Sequence, residues 1–448
     1  MRYGCFRDTW KILLSPKRFT EGKDGIVLRD SNPLEGRSPF EVDIGRAVFS
    51  QPFRRLAGKT QVHPFASVDY IHNRLTHSIE VGHVSRALGR LAAMFLLKDK
   101  GDIVSDKVVE EIGWICQAAG LMHDIGNPPY GHAGEDAIRA WAAQNRQELE
   151  VLCGRNVADD FKCFDGNAQA FRMACRPRLR ESCYFRLTSA SLGSMIKYPY
   201  LTGSVNGKKK SAAFSSEKEY FFMLCNELCL KDGTRHPLSY ITEAADDICY
   251  RINDFEDAVL MGLMNEKEVR ELLLDGMPFM QQDKLNSEKA SLSRIRALTI
   301  GALINEFANV FKDNYDLIMT GRFKSDLKSQ IGNKWGGVLA RIKERYDLIF
   351  SERRKVVSEI GSFGQMACVL DKYFLLLKEM KEKRRKRCNC KFQDLTFLSQ
   401  RLITLAWGGE NYYGSNLDKD VGWWGHAVLD FVVGMTDEYL HRTAMEFM

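Results

Sequence analysis

Proline is scarce in this chain, 11 residues in 448, and there is no low-complexity linker, no internal repeat and no apolar stretch approaching the roughly 20 residues that span a bilayer. Each shortage excludes something. Few prolines leave long helices uninterrupted. The 12 cysteines are scattered, and without a CxxC…CxxC set they offer neither a zinc ribbon nor a disulfide framework. Cys388 and Cys390 stand one residue apart, but two thiols alone rarely make a metal site. The start, MRYGCFRDTWKILLSPKRF, is charged and lacks the apolar run of a secretory signal. The expectation is a cytoplasmic protein with reduced thiols and no membrane segment. The net charge of +6 is compatible with a polyanionic substrate and identifies none.

What is present is helical periodicity. Segments 84–97, 107–122, 298–318 and 366–380 repeat apolar residues at helical spacing, and alternating strand patterns are few. Turn clusters fall at 31–36, 126–131, 202–211 and 231–237. The expected fold is all-α, with at most a small hairpin, placed in 198–216. A hydrophobic share of 45% over this length supports a large core. The expected layout is one catalytic unit, its core at 37–265, with a helical C-terminal extension over 266–448.

Four residues carry the most information: His77, the adjacent pair His123-Asp124, and Asp246. Each sits in a segment that reads as helix. Two imidazoles and two carboxylates without a thiolate suit a hard or borderline divalent ion, such as Mn, Mg or Fe, with positions left for water and phosphate. Asp247 adjoins Asp246, so spacing alone leaves the fourth ligand open between them. Asp246, Tyr250 and Asp254 follow one another at i, i+4 and i+8 along one helical face. His132 and Glu135 stand three apart in GHAGE, where a helix begins. A histidine beside a carboxylate is a general acid–base arrangement; a first-turn glutamate complementing the helix dipole is the structural alternative. Arg74 precedes His77 by three residues and so shares its helical face. The basic run 381–387 reads as a solvated helix end, or as a contact for a nucleic-acid backbone.

HDIGNPPYGHAGEDAI (123–138) resembles the signature of the bacterial deoxyguanosine triphosphate triphosphohydrolases, a branch of the HD-domain phosphohydrolases. RSPFEVDIGRAVFSQPFRRLAGKTQV (37–62), NRLTHS (73–78), SEKEYF (216–221), EAADDICYRINDFEDA (243–258) and GMTDEY (434–439) resemble further blocks of that family, in its order. The resemblance covers most of the chain and is firmest over 37–258.

It implies an HD-type helical core in which His77, His123, Asp124 and Asp246 hold one divalent metal. It sets His132 and Glu135 beside the substrate phosphate as the proton-transfer pair. Arg55, Arg74, Lys197 and Lys218, each in or beside a family block, are the implied phosphate contacts. Gln61 and Asp254 would meet the sugar 3′-hydroxyl, and Tyr250 would close against C2′ and exclude a ribose. The implied reaction cuts dGTP, or another deoxynucleoside triphosphate, to the nucleoside and inorganic triphosphate. A homo-oligomer, hexamer or tetramer, is implied too, with single-stranded DNA as an effector in some members.

Two positions depart from the family pattern: Asp165 stands where Glu is usual, and Ser189 where an aromatic is expected. Both bear on base preference or phosphate placement. The rival readings are an HD phosphohydrolase acting on a nucleoside monophosphate, a cyclic dinucleotide or an alarmone, and a non-catalytic nucleotide sensor. The first has no use for Gln61, Tyr250 and Asp254 together, the second none for His132 and Glu135.

Overall fold

Local signals start the helices that matter. Asn73 caps the helix Arg74–Phe95 by accepting from the backbone of Leu75 and Thr76, and Thr76 Oγ1 accepts in return from Asn73 N at 3.1 Å. Such a cap is worth about 1 kcal/mol. The helix Pro237–Leu260 opens on a proline, which lacks the donor a first turn cannot pair. Behind it, buried His236 accepts from Leu238 N through Nδ1 at 3.1 Å and meets the Leu13 carbonyl through Nε2 at 3.0 Å. Burial lowers its pKa to about 4.

The computed structural model describes residues 6–23, 25–31, 36–65, 68–176, 185–203, 210–287, 289–386 and 390–448, with only the backbone of Ser287 and Asn333. Helix makes up 70% of the structure and strand 4%, so the all-α expectation is met. The hairpin lies elsewhere than 198–216. It pairs Arg18–Gly22 with Gly25–Arg29, antiparallel, where short alternating strands flank GKDG. Within 198–216 the described residues form one isolated parallel bridge, Leu201 to Ala213, and 204–209 lie outside them.

The chain divides into two compact units. The first comprises Met1–Ile125, Ala170–Pro199 and Glu219–Val356; the second comprises Gly126–Gln169, Tyr200–Lys218 and Val357–Met448. In the first, Arg74–Phe95 and Asp106–Met122 run antiparallel at close range. A Cβ on Gly82 would stand 2.9 Å from Leu121, one on Gly89 2.7 Å from Cys116, and one on Gly120 2.6 Å from Ser85. Their apolar faces (Val81, Leu88, Ala92, Ile112, Cys116) meet Ile241, Ala245, Ile248 and Ile252 of the Pro237 helix in one core. The N-terminal helix Arg7–Leu13 joins it through Trp10 Nε1, which donates to Tyr315 at 2.7 Å; Tyr315 in turn donates to Asp102 at 2.5 Å. Buried Arg18 pairs with buried Asp43, which also accepts from the Thr188 backbone and hydroxyl at 3.0 and 2.7 Å.

The second unit packs around Trp141, Phe161, Phe164, Phe214, Tyr373 and Trp424. The helix Arg353–Lys386, which belongs to this unit from Val357 onward, is by length and composition alone apolar enough to cross a membrane. Met366, Val369, Leu370, Tyr373, Phe374 and Leu377 of that helix are core residues here. At its basic end Lys381 donates to the Leu152 carbonyl at 3.0 Å and Arg384 to that of Lys419, so both cations serve carbonyls within the unit. Arg387 and Cys388 lie outside the described residues. The cysteines among the described residues are free.

Candidate metal centre

Three helices of the first unit bring the four singled-out residues together. His77 is in the first turn of Arg74–Phe95, His123 and Asp124 follow the last turn of Asp106–Met122, and Asp246 lies inside Pro237–Leu260. One donor atom each from His77, His123 and Asp246 falls within 4.8 Å of the others. Asp246 Oδ1 is 3.2 Å from His77 Nε2 and 3.6 Å from His123 Nε2, and Asp124 Oδ1 is 3.4 Å from His123 Nε2. Neighbouring donors in an octahedral shell of about 2.1 Å radius stand about 3 Å apart, so these spacings fit a small divalent ion.

The donor set fits in kind as well. His123 Nδ1 donates to the Gly120 carbonyl at 2.7 Å, which leaves the lone pair on Nε2. That Nε2 is buried and has no hydrogen-bond partner among the described residues. A buried imidazole nitrogen with nothing to bond is costly in isolation, and a cation at this point satisfies it. Asp124 and Asp246 are both ionised. Burial by itself would raise Asp124, but Arg74, with His123 and His77, holds it at about 2. Asp246 is likewise raised by burial and lowered further by His123, His77 and Lys197, ending well below the usual carboxylate range. Its neighbour Asp247 turns away, to Lys328 Nζ at 2.9 Å and Arg251 at 3.6 Å.

The cations expected at phosphate are differently placed. Arg74 is buried and its Nη1 donates to Asp124 Oδ2 at 2.5 Å, while its Nε has no hydrogen-bond partner among the described residues. Lys197 pairs with Glu243 at 3.2 Å, and that carboxylate with the charges of Asp246 and Asp247 outweighs the effect of burial and holds the ammonium charged. Arg55 is exposed at the end of the short helix Gln51–Arg55. Lys328 carries no local signal in the sequence, since its link to Asp247 spans 81 positions.

A second group lies farther along the Pro237 helix. Tyr250 stacks on Tyr346 with ring centroids 5.3 Å apart and 24° between planes. Asp254 is 2% exposed, and its Oδ2 has no partner among the described residues. Burial, then the charge of Asp257, pushes its pKa well above the carboxylate range. Gln61 Oε1 is also buried, and it and both ring nitrogens of His63, two residues on, have no hydrogen-bond partner among the described residues. Nothing in the sequence marks His63 as a histidine whose ring is left unbonded. Behind Asp254, His72 lies between Asp257 Oδ1 at 2.8 Å and Glu80 Oε2 at 3.3 Å.

The second unit carries His132, Glu135 and Lys218. Tyr130 and Gly131 both take positive φ, 61° and 56°, and this tight entry launches the helix His132–Gln144. His132 stands exposed at its head, and Glu135 one turn on is buried. Glu135 Oε1 accepts from Gly166 N at 2.7 Å, and its Oε2 lies 3.3 Å from Lys210 Nζ and 3.5 Å from Arg139. Gly166 is obligatory for that contact: a Cβ would lie 2.2 Å from Asn127 Oδ1 and 3.0 Å from the carboxylate. Lys218 is exposed at the start of Lys218–Glu227. Asp165 accepts from Asn167 N at 3.0 Å and Ser211 N at 2.7 Å, so the shorter side chain serves the backbone. Ser189, in the first unit, donates to the Lys17 carbonyl at 3.0 Å.

Comparison with known proteins follows the same lines. A family described as HD domain matches residues 74–165. A "Deoxyguanosinetriphosphate triphosphohydrolase-like protein" of Pseudomonas aeruginosa is 33% identical over 470 residues, covering 98% of each chain. One from Listeria innocua is 31% identical over 472 residues, covering 96% of this chain and 97% of the relative. A "Deoxyguanosinetriphosphate triphosphohydrolase" of Yersinia enterocolitica is 31% identical over 343 residues, 64% of this chain and 67% of its own.

Proposed function

The chain belongs to the deoxyguanosinetriphosphate triphosphohydrolase family of HD-domain proteins, and from that premise we propose that it hydrolyses dGTP to deoxyguanosine and inorganic triphosphate with a divalent metal. Nucleotide phosphohydrolase activity is what the family supports; the choice of dGTP, and of Mn, Mg or Fe, is our reading. The observation that carries it is the Pro237 helix. It presents Asp246 to the two imidazoles and, one and two turns on, Tyr250 and the buried Asp254, whose Oδ2 has no hydrogen-bond partner among the described residues.

When bound, the metal supplies positive charge to a phosphoryl oxygen and acidifies water at neutral pH. The chain does the rest. His77 and His123 offer nitrogen lone pairs, and Arg74 keeps Asp124 ionised. Gln61 and Asp254 take the 3′-hydroxyl, and the Tyr250 ring closes the space at C2′. Water attacks the α-phosphorus, the bond to the 5′ oxygen breaks, and His132 gives that oxygen its proton. Triphosphate leaves intact.

The test is an incubation of the full chain with each deoxynucleoside triphosphate and Mn or Mg in ¹⁸O-water, products resolved by chromatography and mass spectrometry. Labelled triphosphate with unlabelled nucleoside is expected. Release of pyrophosphate or orthophosphate, or label in the nucleoside, would refute the reaction.

A further inference from the structure

The proposed reaction uses no residue of GMTDEY (434–439), yet one side chain of that block reaches the turn before His132. Tyr130 and Gly131 take φ of 61° and 56°. Glycine adopts that region freely; tyrosine does so rarely, and only where its surroundings impose it. The turn is tight. Gly131 N donates to the Pro128 carbonyl at 3.1 Å, and a Cβ on Gly134 would lie 2.0 Å from the Pro129 carbonyl oxygen. The helix His132–Gln144 starts without a side-chain cap among the described residues, so the turn sets its direction.

Two helices far along the chain hold that turn. Buried Asp437, 307 positions on, accepts from Tyr130 N through Oδ1 at 2.9 Å. Asp437 is itself fixed in the first turn of the helix Asp437–Phe447, which Thr436 caps by accepting from Tyr439 N at 3.2 Å. The far end of the same tyrosine is held as well. Its hydroxyl donates to Gln365 Oε1 at 3.0 Å, and Gln365 Nε2 donates to His441 Nδ1 at 3.1 Å. A residue in a rare conformation is thus clasped by its backbone and by its side chain, all within the second unit.

We infer that Asp437 is a positioning residue for His132: by holding Tyr130 N it keeps the left-handed turn in place, and with it the direction in which the exposed imidazole projects, while Gln365 assists through the hydroxyl. This rests on the proton-donor role proposed for His132. Were Tyr130 to relax to negative φ, the chain leaving it would swing. A displacement of about 1 Å in a reacting group costs roughly 10²-fold in rate. Nucleotide affinity, in which Asp437 takes no part, stays as it is.

Asp437→Ala removes the acceptor, whereas Asp437→Asn keeps an oxygen at the same place. For the full chain with Mn and dGTP, kcat and KM are measured for both variants, alone and combined with His132→Ala. The His132 ring-proton shift is followed by NMR in the unliganded proteins. Asp437→Ala should lower kcat about 10²-fold with KM within about twofold, and lower it no further in the His132→Ala background. It should also move the His132 resonance. Asp437→Asn should recover kcat to within about threefold and leave that resonance in place. Gln365→Met, which spares the bond to Tyr130 N, should lower kcat less and again only where His132 is present. A KM that rises as kcat falls, losses that multiply in the double variants, an unmoved His132 resonance in Asp437→Ala, or no recovery with Asn would each overturn the assignment. Should Asp437→Ala fail to fold, Asp437→Asn and Gln365→Met decide by the same measures. A wild type inactive on every deoxynucleotide, or His132→Ala with undiminished kcat, would instead overturn the parent reading, and the His132 resonance would still report on the clasp.

Discussion

His72 should make the protein measurably less stable as pH rises above neutrality. Its two ring nitrogens both face carboxylates, Asp257 at 2.8 Å and Glu80 at 3.3 Å, so both must carry protons. The backbone N–H of His72 adds a third contact, to Asp257 Oδ2 at 3.1 Å. Burial by itself lowers the imidazole pKa, but the two carboxylates reverse that and raise it to about 10. An unfolded histidine titrates near 6.5. The folded state therefore binds this proton more tightly, and the resulting stability is fully present below pH 6.5 and lost as pH rises through 10. Each pH unit in that window is worth about 1.4 kcal/mol for one proton, so of the order of 3 kcal/mol should vanish between pH 7 and 10. The assay is urea unfolding by circular dichroism at several pH values across that range, on wild type and His72→Gln. The variant should start less stable and show a flatter dependence, which separates this proton from thiols and lysines titrating in the same range. With 9 histidines in the chain, the ring-proton shifts can be followed directly by NMR. A His72 resonance that titrates near 6.5, or equal slopes in the two proteins, would refute the reasoning.

Three further outcomes are expected. Asp246→Ala should lose both the metal and activity, whereas Asp247→Ala, whose carboxylate faces Lys328 and Arg251, should retain its metal by mass spectrometry. His132→Ala should keep nucleotide binding, read by calorimetry, while kcat falls by roughly 10²–10⁴, the usual contribution of a proton-transfer group. Gly166→Ala should cost about 1–3 kcal/mol in thermal or urea unfolding and lower kcat, since its Cβ collides with Asn127 and crowds the Glu135 carboxylate.

The sequence made visible what is local. Apolar spacing in 84–97 and 107–122 gave the two helices that carry His77 and His123, and the adjacency of His123 and Asp124 marked the site. The i, i+4, i+8 series of Asp246, Tyr250 and Asp254 was readable because a helix repeats at fixed steps. Partnerships across the fold were not. His72 and Asp257 are 185 positions apart, and Asp247 and Lys328 81, so no periodicity connects them. Arg74 was legible as sharing the helical face of His77, but its bond to Asp124, 50 positions on, shows in no local pattern. The hairpin at 18–29 escaped notice for another reason: strands of five residues carry too little alternation to stand out beside longer helical segments.

Where Arg74–Phe95 meets Asp106–Met122, the separation of the helices is set by missing carbon. Gly82 and Gly120 let each backbone approach until Leu121 and Ser85 stand where a methyl group would be. Glycine inside a helix costs about 0.5–1 kcal/mol relative to alanine, so the close approach carries a standing cost in stability. That approach gauges the gap between His77 on one helix and His123 beyond the end of the other. The width available to an ion is thus fixed at a distance, by a calliper that holds no donor atom. One methyl group added at Gly120 would press on Ser85 and on the Gly82 backbone and part the two helices, while leaving His77 and His123 unchanged in the sequence.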